Sequence, residues 1–166
     1  MMRWFYRSLL LALVIAGAIW LWQALFPSPE KVIRRRLVEV AKLASYGPNE
    51  APFAKLSNTQ QLLAHFANSV EINIEVPGRS LHRVTGTEEL RQALMTVRSQ
   101  ITSMAVEFLD IGVRLAPDAT SAAVATTVRA RIAGEKDAII QEMKFSFSRG
   151  EGDWLINRIE TVNTLR

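Results

Sequence analysis

The sequence predicts an α+β fold: a sheet of long antiparallel strands in the C-terminal part, three amphipathic helices ahead of it, and one transmembrane helix at the N-terminus. Three observations carry this. Apolar residues alternate with polar ones at a period of two in successive runs between Met104 and Ser148, the spacing of strands with one buried face. Upstream, apolar residues recur every three or four positions, which marks helices with one buried stripe. The segment from Ser8 to Phe26 holds 19 residues without a charge, long enough as a helix to cross about 30 Å of hydrocarbon.

The chain divides into a short tail (residues 1–7), the membrane span (8–26) and one folded domain (27–166). Trp4, Phe5 and Tyr6 precede the span, and Trp20 and Trp22 sit near its far end, where aromatic rings meet the two water interfaces. A cleaved signal peptide is the competing reading, with Arg3 and Arg7 as the basic leader and Ala16-Gly17-Ala18 as a small-residue cleavage site. The apolar run continues past that cut to Phe26, so a retained anchor is expected. Lys31, Arg34, Arg35 and Arg36 on the C-terminal flank, read literally, place the domain in the cytoplasm. However, a very short basic N-terminus also begins an inward-facing signal anchor, and the later cations belong to a helix of the domain. The domain is therefore expected on the outer face of the membrane.

Pro27, Ser28 and Pro29 break the span and start the first domain helix, with Ser28 placed to accept from free backbone amides. Ile33, Leu37, Val40 and Ala44 form its stripe, which ends at Gly47 and Pro48. Arg34, Arg35 and Arg36 lie close enough to the span to touch anionic headgroups, although a solvated helix face also accounts for them. Ser57 followed by Gln60 is a capping-box pattern that opens a short helix through Phe66. Val70 to Val76 then reads as a strand, Pro77-Gly78 as a turn, and Leu81 to Val84 as a second strand. Thr85 and Glu88 form another capping pattern, ahead of a stripe of Leu90, Leu94, Val97 and Ile101.

In the sheet, Leu109, Ile111, Val113 and Leu115 alternate with Phe108, Asp110, Gly112 and Arg114. Val124, Thr126, Val128, Ala130 and Ile132 define one face of the next run, and Ile139, Met143, Phe145 and Phe147 one face of the third. In the last run Trp154 and Ile156 share a parity that Ile159 does not, so a bulge is expected near Asn157. Short connections at 117–120, 134–137 and 150–153 imply sequential antiparallel neighbours.

Charge and composition remove several function classes. The formal charge is +4, but beyond Arg36 there are 14 basic and 15 acidic residues, too balanced to neutralise a phosphate backbone. Nucleic acid is therefore not an expected partner. The chain has no cysteine, which excludes disulfides and thiolate chemistry. His65 and His82, 17 residues apart without an acidic spacing pattern, do not form a metal site. No phosphate-binding glycine loop or nucleophile elbow is present, and no cofactor is expected. His82 could serve as a base near neutral pH if it shared a pocket with Asp110. The plainer readings are a surface histidine on a short strand and an Asp110 that pairs with Arg114 or Arg129. His65, three residues after Leu62, falls at the rim of a helix packing face.

The order helix, short helix, strand, strand, helix and long strands, closing on Gly152-Asp153-Trp154-Leu155-Ile156, resembles the nuclear transport factor 2-like superfamily. Phe66-Ala67-Asn68-Ser69 leading to Val76-Pro77-Gly78, and Thr85-Gly86-Thr87-Glu88-Glu89-Leu90 opening a helix, add to the likeness, which spans about Pro29 to Arg166. It implies a cystatin-like roll: a curved antiparallel sheet with three helices packed on its concave face, around a conical pocket. Phe108, Met143, Phe145, Phe147 and Trp154 would line such a pocket, or else form plain core. The superfamily includes ketosteroid isomerases, scytalone dehydratase and polyketide cyclases beside many non-catalytic domains. Its isomerases carry an acidic base just before a proline at the end of the first strand, where this chain has Val76, and Asn68 stands where many relatives have an acid. The expectation is a membrane-anchored, non-catalytic binding or assembly module with a homodimer or protein partner. The alternatives are a small isomerase, dehydratase or cyclase using His82 and Asp110, and a carrier of a hydrophobic ligand.

Overall fold

The computed structural model describes residue 15, residues 28–75 and residues 82–162. Of the expected membrane span only Ile15, in helical conformation, falls among them; the rest of 8–26, Val76 and the Pro77-Gly78 turn lie outside the described residues. Among the described residues no helix is long and apolar enough to cross a membrane. The described elements are α1 (Pro29–Ala44), α2 (Pro52–Leu63), β1 (Phe66–Ile74), β2 (His82–Thr85), α3 (Gly86–Gln100), β3 (Met104–Leu115), β4 (Ser121–Ile132), β5 (Ile139–Gly150) and β6 (Asp153–Thr161).

The strands form one curved sheet in the order β2-β1-β6-β5-β4-β3. It is mixed, which corrects the expected all-antiparallel sheet: β1 lies parallel to β6, with Phe66 opposite Ile156 and Ile72 opposite Ile159. The short turns between β3, β4, β5 and β6 do give antiparallel neighbours. They carry no information about where the earlier strand β1 docks, and a parallel pair requires the long crossover that separates β1 from β6.

Bulges bend the strands. At Asn157 the β5–β6 register steps from Ile156 opposite Phe147 to Arg158 opposite Ser146, so Trp154, Ile156 and Ile159 all reach the core, as their mixed parity requires. A second bulge was not expected. On β3 the register steps between Leu109 and Gly112, and Asp110 adopts φ +53°, in the left-handed region. Phe108, Ile111 and Val113 therefore face the core together, whereas simple alternation places Phe108 on the opposite face.

The core joins the inner face of the sheet to the helices. Ile33, Leu37 and Val40 of α1, Leu62 and Leu63 of α2 and Leu90 of α3 pack with Val70, Val124, Phe145, Phe147, Trp154 and Ile156. α1 begins at Pro29 as expected, but Ser28, at φ −56° and ψ 141°, makes no side-chain cap. α2 begins at Pro52, not at Ser57: proline at the first helical position outranks the capping pattern, and Ser57 sits in mid-helix accepting from Gln61 Nε2 at 3.1 Å. α2 also ends before Phe66, because that residue opens β1; the His65 carbonyl accepts from the Ile156 amide at 2.9 Å. α3 is capped at Thr85, whose amide donates to Glu89 Oε2 at 2.7 Å. Glu88, the expected partner, instead pairs with Arg91 at 3.0 Å.

α1 and the residues after it cover the free side of β3. Arg34 donates to the Ile111 carbonyl. The Val106 amide donates to Ser45 Oγ at 2.9 Å, and Ser45 Oγ in turn donates to the Ala41 carbonyl at 2.7 Å. Tyr46 exchanges backbone bonds with Met104 at 2.8 and 3.0 Å.

Candidate functional site

The inner face of the sheet is where a conical pocket would lie, and its centre is packed. Met143, Phe145, Phe147 and Trp154 are 7%, 3%, 1% and 3% exposed. Phe108, half-buried, meets the Phe145 ring edge-on at a centroid distance of 5.4 Å, a favourable aromatic geometry. The strands set this up: on β5 every second residue from Met143 to Phe147 points inward, opposite the Thr126, Val124 and Ala122 row of β4. The only buried polar side chain on that β4 row, Thr126, spends its hydroxyl on the Leu109 carbonyl at 2.6 Å. Among the described residues that form this packed centre, none is an acid or a base.

His82 and Asp110 are not brought together. His82 lies on β2, its backbone opposite Ile74, and Asp110 lies on β3, at the other edge of the sheet. Five strand intervals separate them, about 24 Å along the sheet. Asp110 is exposed at the bulge, and Arg129, its expected partner, binds Glu107, with Nε donating to Oε2 at 2.9 Å.

The described residues line surface cavities, two of which hold polar side chains. One, of about 430 Å³, is an open groove between α1 and α2, lined by Glu39, Lys42, Leu43, Asn58, Gln61 and His65. His65 follows α2 in the turn that feeds β1, and its buried Nδ1 has no hydrogen-bond partner. Burial first, then the positive charge of Arg36, lower its pKa against the opposing Glu39 and Asp153. The neutral imidazole is thus favoured, and its Nδ1 is left without a partner. The other cavity, about 230 Å³, lies on the outer face of β1, β2 and β6 between Glu71, Asn73, Arg83, Thr85 and Arg158. Its polar groups already answer one another: Arg83 Nε donates to Asn73 Oδ1 at 3.1 Å, and Arg158 lies 3.8 Å from Glu71 and 3.1 Å from Glu160. Among the described residues no cluster of histidine and acidic side chains could hold a metal ion.

The three arginines of α1 divide. Arg34 pairs with Glu30 at 3.0 Å as well as with β3, Arg36 reaches Asp153 at 3.3 Å, and Arg35 alone of the three is exposed and unpaired among the described residues.

One polar constellation had no warning in the sequence. Arg98 of α3, 4% exposed, donates from Nη1 to both oxygens of Glu50 at 2.7 and 2.6 Å and from Nη2 to the Leu43 carbonyl. Its guanidinium lies 4.7 Å from the Tyr46 ring centre, and Asn58 Nδ2 donates to Glu50 Oε1 at 2.8 Å. Both Glu50 oxygens and both terminal nitrogens of Arg98 are engaged, which ties α3 and α2 to the loop after α1.

No protein-family profile and no curated protein sequence matches the chain. Solved structures do match in fold. A provisionally assigned scytalone dehydratase from Novosphingobium aromaticivorans superposes with a TM-score of 0.60 at 17% identity, over 82% of this chain and 84% of its own. A nuclear transport factor 2-like protein of unknown function from Pseudomonas putida gives 0.62 at 12% identity over 85% and 98%. A cystatin-like protein of unknown function from Nostoc punctiforme gives 0.61 at 13% over 84% and 96%. The chain therefore has the cystatin-like, nuclear transport factor 2-like fold, which is shared by proteins of quite different roles.

Proposed function

We propose that this chain is a non-catalytic binding or assembly module, held at a membrane by residues 8–26 with its domain on the outer side. The observation that carries the reading is the filled inner face. Phe145, Phe147, Met143 and Trp154 occupy it as core, and no titratable group stands among them. The isomerase or dehydratase alternative loses its geometric support with His82 and Asp110 on opposite sheet edges. The carrier alternative needs a hollow where these side chains pack. The likeness to a dehydratase, at 17% identity, is one of fold.

For such a module the outer sheet face is the surface to use. Ala125 and Thr127 of β4 and Gly112 of β3 leave its middle low and weakly polar, between ion pairs of Arg129 with Glu107 and of Lys144 with Glu160. A second copy or another flat protein face would rest there. The test is purification of the full chain from detergent-solubilised membranes, followed by mass measurement of the complex. A homodimer or a stoichiometric partner is expected. A monodisperse monomer that recovers no partner would sink the proposal.

A further inference from the structure

We infer that α1 lies along the bilayer surface and holds anionic lipid headgroups through the stripe Lys31, Arg35 and Lys42, with Val38 at its centre; this rests on the anchor reading above. At 100° per residue these four positions fall within about 60° of one another, on the side opposite Ile33, Leu37 and Val40, which are 0%, 0% and 5% exposed. All four are exposed, Val38 at 60%. The fold has already taken the two neighbouring arginines, Arg34 through Glu30 and Ile111 and Arg36 through Asp153. It leaves Lys31, Arg35 and Lys42 without an ion pair among the described residues. Glu39 is the one exposed acid beside the stripe, so the face keeps a net positive charge.

Position supplies the occupant. The uncharged segment ends at Phe26, five residues before Lys31, so the stripe begins where the chain would leave the hydrocarbon. Ser28 is extended, at φ −56° and ψ 141°, so α1 is not a straight continuation of any helix before it and is free to turn along the surface. From Lys31 to Lys42 the stripe runs about 16 Å, and each cation near an anionic surface favours the docked state by roughly fivefold. An exposed valine among cations suits the boundary of headgroup and acyl chain.

The chain has no cysteine, so Val38→Cys gives a single fluorescent label in the full chain, and Lys136→Cys in the β4–β5 loop gives a control. In proteoliposomes containing about 30 mol% anionic lipid, a nitroxide on the headgroup should quench the label at 38 severalfold more than the label at 136. The difference should vanish in zwitterionic bilayers, at ~0.5 M salt, and in a Lys31→Gln, Arg35→Gln, Lys42→Gln variant, whose docked population should fall on the order of 100-fold. The lipid and salt comparisons, made on native charges, decide the matter if that variant misfolds. A chain that resists alkaline carbonate extraction while its label at 38 stays as accessible to iodide as the control overturns this inference and leaves the anchor standing. Release by carbonate overturns the anchor and the docking together. Shielding that ignores lipid charge assigns the face to a second copy or another protein, and also overturns it.

Discussion

Arg98 and Glu50 meet across 48 residues of sequence as a nearly solvent-free ion pair, their side chains 3% and 8% exposed, with Nη1 to Oε2 at 2.6 Å. Removing one partner strands the other charge in the interior, which typically costs about 3–5 kcal/mol. Arg98→Ala and Glu50→Ala are each expected to lower unfolding stability on that scale. Replacing both by apolar residues of similar volume should recover much of the loss. Urea unfolding of the full chain in detergent, followed by circular dichroism, checks both outcomes.

The same pair sets an acid limit. Burial alone would raise the Glu50 carboxyl pKa, but hydrogen bonds from Asn58 and Arg98 and the charge of Arg98 outweigh it and hold the group below its ordinary value. The unfolded chain then binds the proton first. Stability from this group is complete above the ordinary glutamate pKa of about 4.3 and drains away as pH falls through the lower folded value. His65, also lowered, acts earlier: its contribution is complete above about pH 6.5 and falls below it. A His65→Gln chain should show a flatter urea midpoint as pH falls below about 6.5, and a Glu50→Gln chain a flatter one below about pH 4.3. A wild-type midpoint independent of pH across both windows would refute these assignments.

Phe147, 1% exposed at the centre of the sheet, makes the packed interior testable. Phe147→Ala should destabilise by about 3–5 kcal/mol and open a cavity. If the wild type already enclosed a ligand-sized hollow there, a hydrophobic dye would bind it as well as the variant. Dye binding by the variant alone is expected.

At Asp110, φ +53° makes backbone the relevant chemistry. Asp110→Gly should be neutral or stabilising, and Asp110→Val should cost about 1–2 kcal/mol. Thermal unfolding of the two variants gives the ranking.

On the outer face, Ala125→Arg introduces a bulky charge at an exposed strand position opposite Gly112 and Lys144. It should leave unfolding unchanged and reduce association, read as a shift from complex to monomer on sizing.

Much of this arrangement was legible because periodicity is local. β4 and β5 keep their alternation, and the mixed parity of Trp154, Ile156 and Ile159 announced the bulge at Asn157. The bulge at Asp110 stayed hidden because Phe108 and Leu109 are adjacent and both apolar, so either parity satisfied the pattern. The parallel pairing of β1 with β6 depends on strands about 90 residues apart, beyond the reach of turn chemistry. Arg98 escaped for a related reason: a charged residue beside a helix stripe reads as solvent-facing until its distant partner Glu50 is known. The α1 arginines were read as one run, but on a helix consecutive residues point about 100° apart, and each met a different environment.

The contacts from Arg34, Ser45 and Tyr46 to β3 have a consequence for the life of the chain. An uncovered border strand of 12 residues is a template on which strands of other molecules accrete. Because α1, Ser45 and Tyr46 together shield that border, a chain cut before Pro29 keeps it covered. A cut after Tyr46 bares it and strips Ile33, Leu37 and Val40 from the core, and the remaining fragment is expected to self-aggregate, as read by light scattering.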